Sequence, residues 1–292
     1  MRISKLLTLI ISFSAFTAAF CSPDTVTNYP GNLQREKAAD LRVLSYNILA
    51  QCWNRNMRKA EERSVDVIEI IRNIAPDIAG LQELDPIWYK LLDGKIEPWK
   101  FARDPYDSNM CAVIYDSRRF RQIDGGVMKY TDLRIRCLRW TLLEEIKTQR
   151  KLLITNTHWD LTVPKRMANS QLMVQYIAEL KKRFPGVPVI CTGDFNSTVG
   201  SGELKQLLQQ TNQLDCVEAA RKVENKTFCS YVNPKTGVIN HNLRHIDHIL
   251  VPAGTTVLSS KLLYSPVTMR ASDHLPLLAD IILAEPAAKS KQ

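Results

Sequence analysis

Apolar residues recur along this chain in short runs of strand length: LRVLSYN at 41–47, DIAGLQE at 77–83, MCAVIYD at 110–116, KLLITNTH at 151–158, VPVICTGDFN at 187–196, HIDHILV at 245–251 and LPLLADIIL at 275–283. Their content of Val, Ile and Leu suits buried strands. Two intervening segments carry helical spacing instead. Over 58–74, Val67, Ile68, Ile71 and Ile74 fall on one stripe, and over 165–184, Ala168, Leu172, Tyr176, Leu180 and Phe184 recur at four-residue spacing. Both predict amphipathic helices packed on a sheet. Pro76 closes the first and Pro185-Gly186 the second, each just before the next strand. This strand–helix–strand order gives way at 123–146 to successive strands or hairpins, with Gly125-Gly126 as the expected turn. A mixed α/β sandwich accommodates both patterns better than a purely parallel doubly wound sheet.

With 292 residues and 45% hydrophobic content, the chain can bury one large core, and no second domain is required. Arg2 and Lys5 precede an apolar run from Leu6 to Phe20 and the small residues Thr17, Ala18 and Ala19. That order predicts a secretory signal peptide over 1–19, cleaved after Ala19. The run is shorter than the roughly 20 residues that span hydrocarbon, so no stable membrane insertion is expected after its removal. Phe20, directly before Cys21, argues against lipid attachment at that cysteine. The expected organisation is a signal peptide at 1–19, a polar leader at 20–40, one domain at 41–284 and a tail at 285–292, in a secreted or periplasmic protein and most simply a monomer.

Seven cysteines lack paired spacing, which excludes a common zinc site. Export permits disulfides, but spacing does not reveal connectivity, and Cys111 and Cys191 read equally as buried free thiols. The net charge of +9 falls to +7 when Arg2 and Lys5 leave with residues that contain no acid. A basic surface favours an anionic partner, with nucleic acid, phospholipid headgroups and phosphorylated metabolites all open.

Polar residues stand repeatedly at the C-terminal ends of the apolar runs: Asn47, Glu83, His158, and Asp194 with Asn196. A sheet brings strand ends together, so residues distant in sequence can line one cleft. Asp247 lies inside an apolar run and needs a partner, which a histidine at the same cleft would supply. Taken singly, each has an ordinary explanation as a turn former, a structural histidine or a helix cap. Their joint order points to chemistry.

The segments LSYNIL, LQEL, NTHWD, TGDFNS, RHIDHIL and SDHLPL resemble, in order and separation, the signatures of the endonuclease/exonuclease/phosphatase superfamily of deoxyribonuclease I-like phosphoesterases. The resemblance covers residues 41–283 and looks closest to the deadenylase-like and bacterial secreted branches. It implies a four-layered α/β/β/α sandwich with two packed mixed β-sheets. It also implies metal-assisted attack of water on a phosphoester, phosphodiesters first, with an anionic phosphoester as substrate and nucleic acid among the candidates. The implied metal site is Asn47, Glu83 and Asp273, holding Mg2+, with Mn2+ or Ca2+ able to substitute. The implied catalytic set is His158, Asp194, Asn196, Asp247 and His274, with Asp194 and Asn196 beside the attacking water and Asp247 paired with His274. Leu49 stands where some family nucleases carry an acid, which argues against an apurinic endonuclease. His245 displaces an expected arginine to Arg244. His248 should point to the opposite strand face, and Asp160 either orients His158 or begins a loop. His241 and the tryptophans Trp53, Trp88, Trp99 and Trp140 are candidates for a groove, though packing explains most of them. Arg134, Arg136 and Arg139 suggest a basic strand-face patch, while Lys181, Lys182 and Arg183 suit the C-terminal end of a helix. A sphingomyelinase-like phospholipase and a non-catalytic protein of the same fold are the alternatives; the first lacks a long apolar loop for a lipid surface, and the second conflicts with a complete site.

Overall fold

The structure, a computed structural model, describes residues 33–53, 57–102, 110–130, 136–233, 236–239 and 244–284. Thirteen strands form two sheets. The first has the order β10 (Lys222–Glu224), β12 (Thr256–Leu262), β13 (Leu277–Ile282), β1 (Leu41–Asn47), β2 (Ile78–Leu84), β4 (Met110–Asp116), β3 (Trp99–Phe101). The second has the order β5 (Phe120–Lys129), β6 (Cys137–Glu145), β7 (Lys151–His158), β8 (Val189–Asp194), β11 (Asp247–Pro252), β9 (Gln213–Asp215). Both are mixed: β1–β2 and β7–β8 run parallel, while β1–β13 and β8–β11 run antiparallel. The expected signal peptide and C-terminal tail lie outside the described residues. Residues 33–40 of the expected leader lie against the domain: Leu33 O accepts from Arg42, and Asp40 pairs with Arg150 at 2.6 Å.

Strand alternation builds the layers. On β1, Leu41 and Val43 turn inward, where they meet Leu152 and Ile154 of β7, Ile190 of β8 and Ile249 of β11 in the core between the sheets. Leu44 and Tyr46 turn outward and pack under α1 (Ala60–Ile74), α2 (Pro86–Leu92) and α6 (Pro266–Ala271). On the second sheet's outer face, Leu153, Cys191 and Leu250 pack under α3 (Val163–Arg183) and α4 (Gly202–Thr211). The result is the four-layered α/β/β/α sandwich. A short helix, α5 (Cys216–Ala219), follows β9, and no helix among the described residues is long and apolar enough to cross a membrane.

Two expectations need correction, and one left open is decided. Gly125-Gly126 is not a turn but lies inside β5 opposite Thr141 and Trp140 of β6. A Cβ on Gly126 would come within 2.8 Å of Trp140 Nε1, so the glycine is there to admit the indole. The buried face of α3 is Asn169, Ser170, Met173, Ile177 and Leu180, with Ala168 exposed. A strict four-residue repeat drifts about 40° per step on a helix of 3.6 residues per turn, so it does not mark one face. The cysteines among the described residues are all free, and Cys111 and Cys191 are buried thiols.

The two sheets are also joined by a polar seam. Gln82 donates to Asn156 Oδ1 at 2.6 Å, Asn156 Nδ2 donates to Leu81 O and Ala112 O, and Gly193 N–H donates to Ser45 Oγ. The seam underlies the cleft described next.

Candidate active site

The inward-facing positions that are apolar deep in the sandwich become polar where its strands end. Val43 gives way to Asn47, Ile154 to His158, Ile190 to Asp194 and Ile249 to Asp247 along the same strand faces. Register then aligns three of them: His158 pairs with Asp194 across β7–β8, and Asp247 with Asp194 across β8–β11. Asn47 reaches them from the other sheet. Glu83 would face outward by alternation, but β2 has a register shift between Gln82 and Leu84, and Glu83 takes a left-handed φ of 62°. That bulge turns its carboxylate into the cleft, a use of local strain common at functional sites. Asn196, just past β8, is left-handed too, at φ 48°, a conformation asparagine tolerates.

Asp194 is the hub. Its Oδ2 lies 3.3 Å from His158 Nε2 and 3.7 Å from His274 Nε2 and accepts from Asn47 Nδ2 at 3.1 Å, while its Oδ1 accepts from Asn196 N–H at 2.9 Å. Burial and the neighbouring Asp247 charge push its carboxyl up to about 7, against the pull of His274 and the N–H donors. Asn47 also donates to Glu83 Oε1 at 3.0 Å, and its Oδ1 accepts from Leu49 N–H. In this arrangement the amide aims two carboxylates at the cleft. Glu83 Oε2 is held by Ala50 N–H at 2.9 Å.

The two imidazoles hold different charge. Burial works against protonation of His274, but Asp247 and Asp194 outweigh it and raise its pKa well above the usual value; its Nδ1 lies 2.8 Å from Asp247 Oδ2. His158 is pushed well below the usual range by burial, then by Arg136 and His274, and its Nδ1 has no hydrogen-bond partner. The surroundings therefore favour the charged form of His274 and the neutral form of His158.

Burial raises the carboxyls of Glu83 and Asp273 as well. Glu83, Asp194, Asp247 and Asp273 thus crowd a buried site beside one charged imidazole. Oxygen donors with excess negative charge fit a hard divalent cation, and the ligand atoms of Asp194, Asp247 and His274 lie within 4.8 Å of one another. A second such group, Asp215, His245 and His248, sits outside the cleft. There His248 Nδ1 lies 2.6 Å from Asp215 and its Nε2 lies 2.7 Å from Ser197 O, which ties β11 to the loop after Asn196.

The cleft holds about 590 Å³ and is lined by Glu83, His158, Asp194, Asn196, Asp273 and His274, together with Trp53, Arg136, Leu161, Tyr231 and Ile246. Leu161, Tyr231 and Ile246 carried no sequence signal. Of the proposed arginine patch, Arg134 lies outside the described residues, Arg139 is buried against Cys111 O and Ala102 O, and Arg136 faces the cleft. Asp160 accepts from Leu161 N–H in the loop before α3 and does not hold His158. Arg244 is exposed against Glu218. Trp88, Trp99 and Trp140 are buried, and His241 lies outside the described residues.

A profile of the Endonuclease/Exonuclease/phosphatase family matches residues 44–274. The chain belongs to this family. Endonuclease/exonuclease/phosphatase proteins are metal-dependent phosphoesterases, and this chain carries acidic and histidine groups placed so that they could hold an ion. It is similar to Protein angel of Drosophila melanogaster, 22% identical over 214 residues, covering 61% of this chain and spanning 58% of that protein's length. In structure it is similar to the mannosyl-6-phosphatase Bt3783 of Bacteroides thetaiotaomicron, with a TM-score of 0.70 and 19% identity over 83% of this chain and 100% of that one. It is likewise similar to D. rerio TDP2 complexed with single-strand DNA product, with a TM-score of 0.65 and 17% identity over 83% of this chain and 98% of the other.

Proposed function

We propose that the chain is an exported, magnesium-dependent hydrolase of phosphoester bonds that acts on small phosphodiesters or phosphomonoesters in preference to long nucleic-acid strands. The observation that carries this reading is the convergence of Asn47, Glu83, His158, Asp194, Asp247 and His274 from six separate segments on one cleft. Glu83 and Asp273 would hold the ion, with Asn47 at the same site steering Glu83 through its amide N–H group, and Mn2+ or Ca2+ could substitute for Mg2+. When bound, the ion supplies charge neutralisation at the phosphoryl oxygens. Asp194 orients the attacking water and takes its proton as the new P–O bond forms and the ester P–O bond breaks. Asn196 and the His274 imidazolium donate to phosphoryl oxygens as negative charge develops there, and Asp247 keeps His274 charged and oriented. His158, neutral, donates from whichever nitrogen carries the proton.

The preference for a small ester rests on the lining of the cleft, where Arg136 is the one Lys or Arg among the described residues, beside Trp53, Leu161, Tyr231 and Ile246. A strand would need a basic track along its backbone. Sugar-phosphate action in Bt3783 and a DNA product in TDP2 show that the fold serves both ends of this range. Assay of a chromogenic monoester, a chromogenic diester, inositol phosphates, sphingomyelin, RNA and DNA with magnesium, repeated across salt concentrations, tests the preference. We expect the small esters to be turned over with mild salt dependence. Faster turnover of DNA or RNA with a steeply salt-dependent KM would overturn it.

A further inference from the structure

Arg136 begins the β6 edge of the cleft, directly before Cys137. It is 8% exposed, and its one side-chain hydrogen bond among the described residues runs from a terminal nitrogen to Trp159 O at 2.6 Å. No carboxylate among the described residues pairs with it. The other buried arginines are differently placed. Arg42 is saturated by both oxygens of Asp280 and by Leu33 O and Ile74 O. Arg63 donates to Arg58 O, Ile48 O, Leu49 O and Ala271 O. Exposed arginines are also spoken for, as in the pairs of Arg118 with Asp116, Arg121 with Glu144 and Arg183 with Asp124.

A guanidinium out of water with unused donors is costly unless an anion completes it. This one opens into the cleft next to His158 and cannot lose its proton. Its planar fork matches a phosphoryl group with two oxygens side by side.

We propose that Arg136 is a further phosphoryl-binding residue of the cleft, beside Asn196 and His274: the substrate's oxyanion is its counter-ion, taken up through the N–H groups not used by Trp159. The anchoring rests on the phosphoester reading above and adds a residue to it. It also gives Arg136 no part in holding the metal, since it makes no hydrogen bond or ion pair with Glu83 or Asp273.

The test uses inorganic phosphate as probe, in the full protein with magnesium, on wild type, Arg136→Gln and Arg136→Lys. Phosphate should raise the wild-type Tm and inhibit hydrolysis competitively. In Arg136→Gln the inhibition constant should rise about tenfold to a hundredfold, the range for a hydrogen bond to a charged group, and the phosphate-induced Tm shift should vanish. Arg136→Lys should recover part of both. Without phosphate, Arg136→Gln should match or exceed the wild-type Tm, because it removes a buried charge that has no carboxylate partner among the described residues, whereas a structural arginine would lower it. KM for a chromogenic monoester and diester separates two sources of the anion. Loss on both places Arg136 at the scissile phosphoryl, and loss on the monoester alone places it at a terminal phosphate; either supports the anchor. Unchanged phosphate inhibition and Tm shift in Arg136→Gln, with hydrolysis intact, would overturn the anchor and leave the hydrolase standing. An Arg136-dependent phosphate shift in a protein that hydrolyses no ester would do the reverse.

Discussion

His158 and His274 flank the same Asp194 oxygen, at 3.3 and 3.7 Å, and yet their pKa values are pushed in opposite directions. Only His274 has a second carboxylate, Asp247 at 2.8 Å, while His158 faces Arg136. Asp247→Asn should therefore cost His274 its charge and lower the rate by at least about a hundredfold, the range for lost electrostatic stabilisation. Asp194→Ala should cost as much. Both should keep the wild-type circular dichroism; a near-wild-type rate in either folded variant would remove its assigned role. The cleft residues at strand ends were legible because each continues an inward-facing apolar row, so alternation alone turns Asn47, His158, Asp194 and Asp247 to one side. Leu161 and Tyr231 were not, since their places depend on how loops dock, and Arg136 was legible only as a member of a basic patch. Glu83 was legible as a polar residue at a strand end, but its direction was not: its strand parity points it away, and the bulge that corrects this has no sequence mark.

At the scale of elements, the sheets approach closely enough at β2 and β8 that Gly80 has no room for a side chain. A Cβ there would overlap Thr192 Oγ1 and come within 2.7 Å of Asn156 Oδ1. Gly80→Ala should destabilise the fold by about 1–3 kcal/mol, as overpacking does, read as a fall in denaturant midpoint; an unchanged midpoint would mean that the polar seam yields freely. Strands that were short apolar runs were readable to within two residues, as with β4 at 110–116 and β7 at 151–158. β12, at Thr256–Leu262, was missed because Ser259, Ser260 and Lys261 interrupt its apolar pattern. The Asp215–His248 pair makes a pH prediction. Burial would raise the Asp215 carboxyl, but His248 and His245 outweigh it and hold it well below the usual range; burial would lower His248, but Asp215 raises it. Stability from the depressed Asp215 is present above its unfolded value near 3.9 and lost as pH falls towards its folded one. Stability from the raised His248 is full below about 6.5 and lost as pH rises through its folded value. Asp215→Asn should thus lower Tm more at pH 5.5 than at pH 9. An equal loss at both would show that the charged pair contributes nothing beyond the α5 cap, where Asp215 accepts from Val217 and Glu218.

For the whole molecule, the four-layer architecture follows from which strand faces are apolar, and several arginines pair with carboxylates across the surface. Export is a separate matter, resting on Arg2, Lys5 and the apolar run that follows; intact-mass measurement of exported protein should give a chain that begins at Phe20, and retention of Met1 in a cytosolic product would exclude it. The most direct test of the cluster at the mouth of the sandwich is a metal titration of hydrolysis of a chromogenic phosphodiester, in wild type and Glu83→Ala, from excess chelator upward. Metal-assisted hydrolysis there requires no turnover in chelator, recovery with magnesium in wild type, and a much higher magnesium requirement in Glu83→Ala. Undiminished wild-type turnover in excess chelator would contradict it.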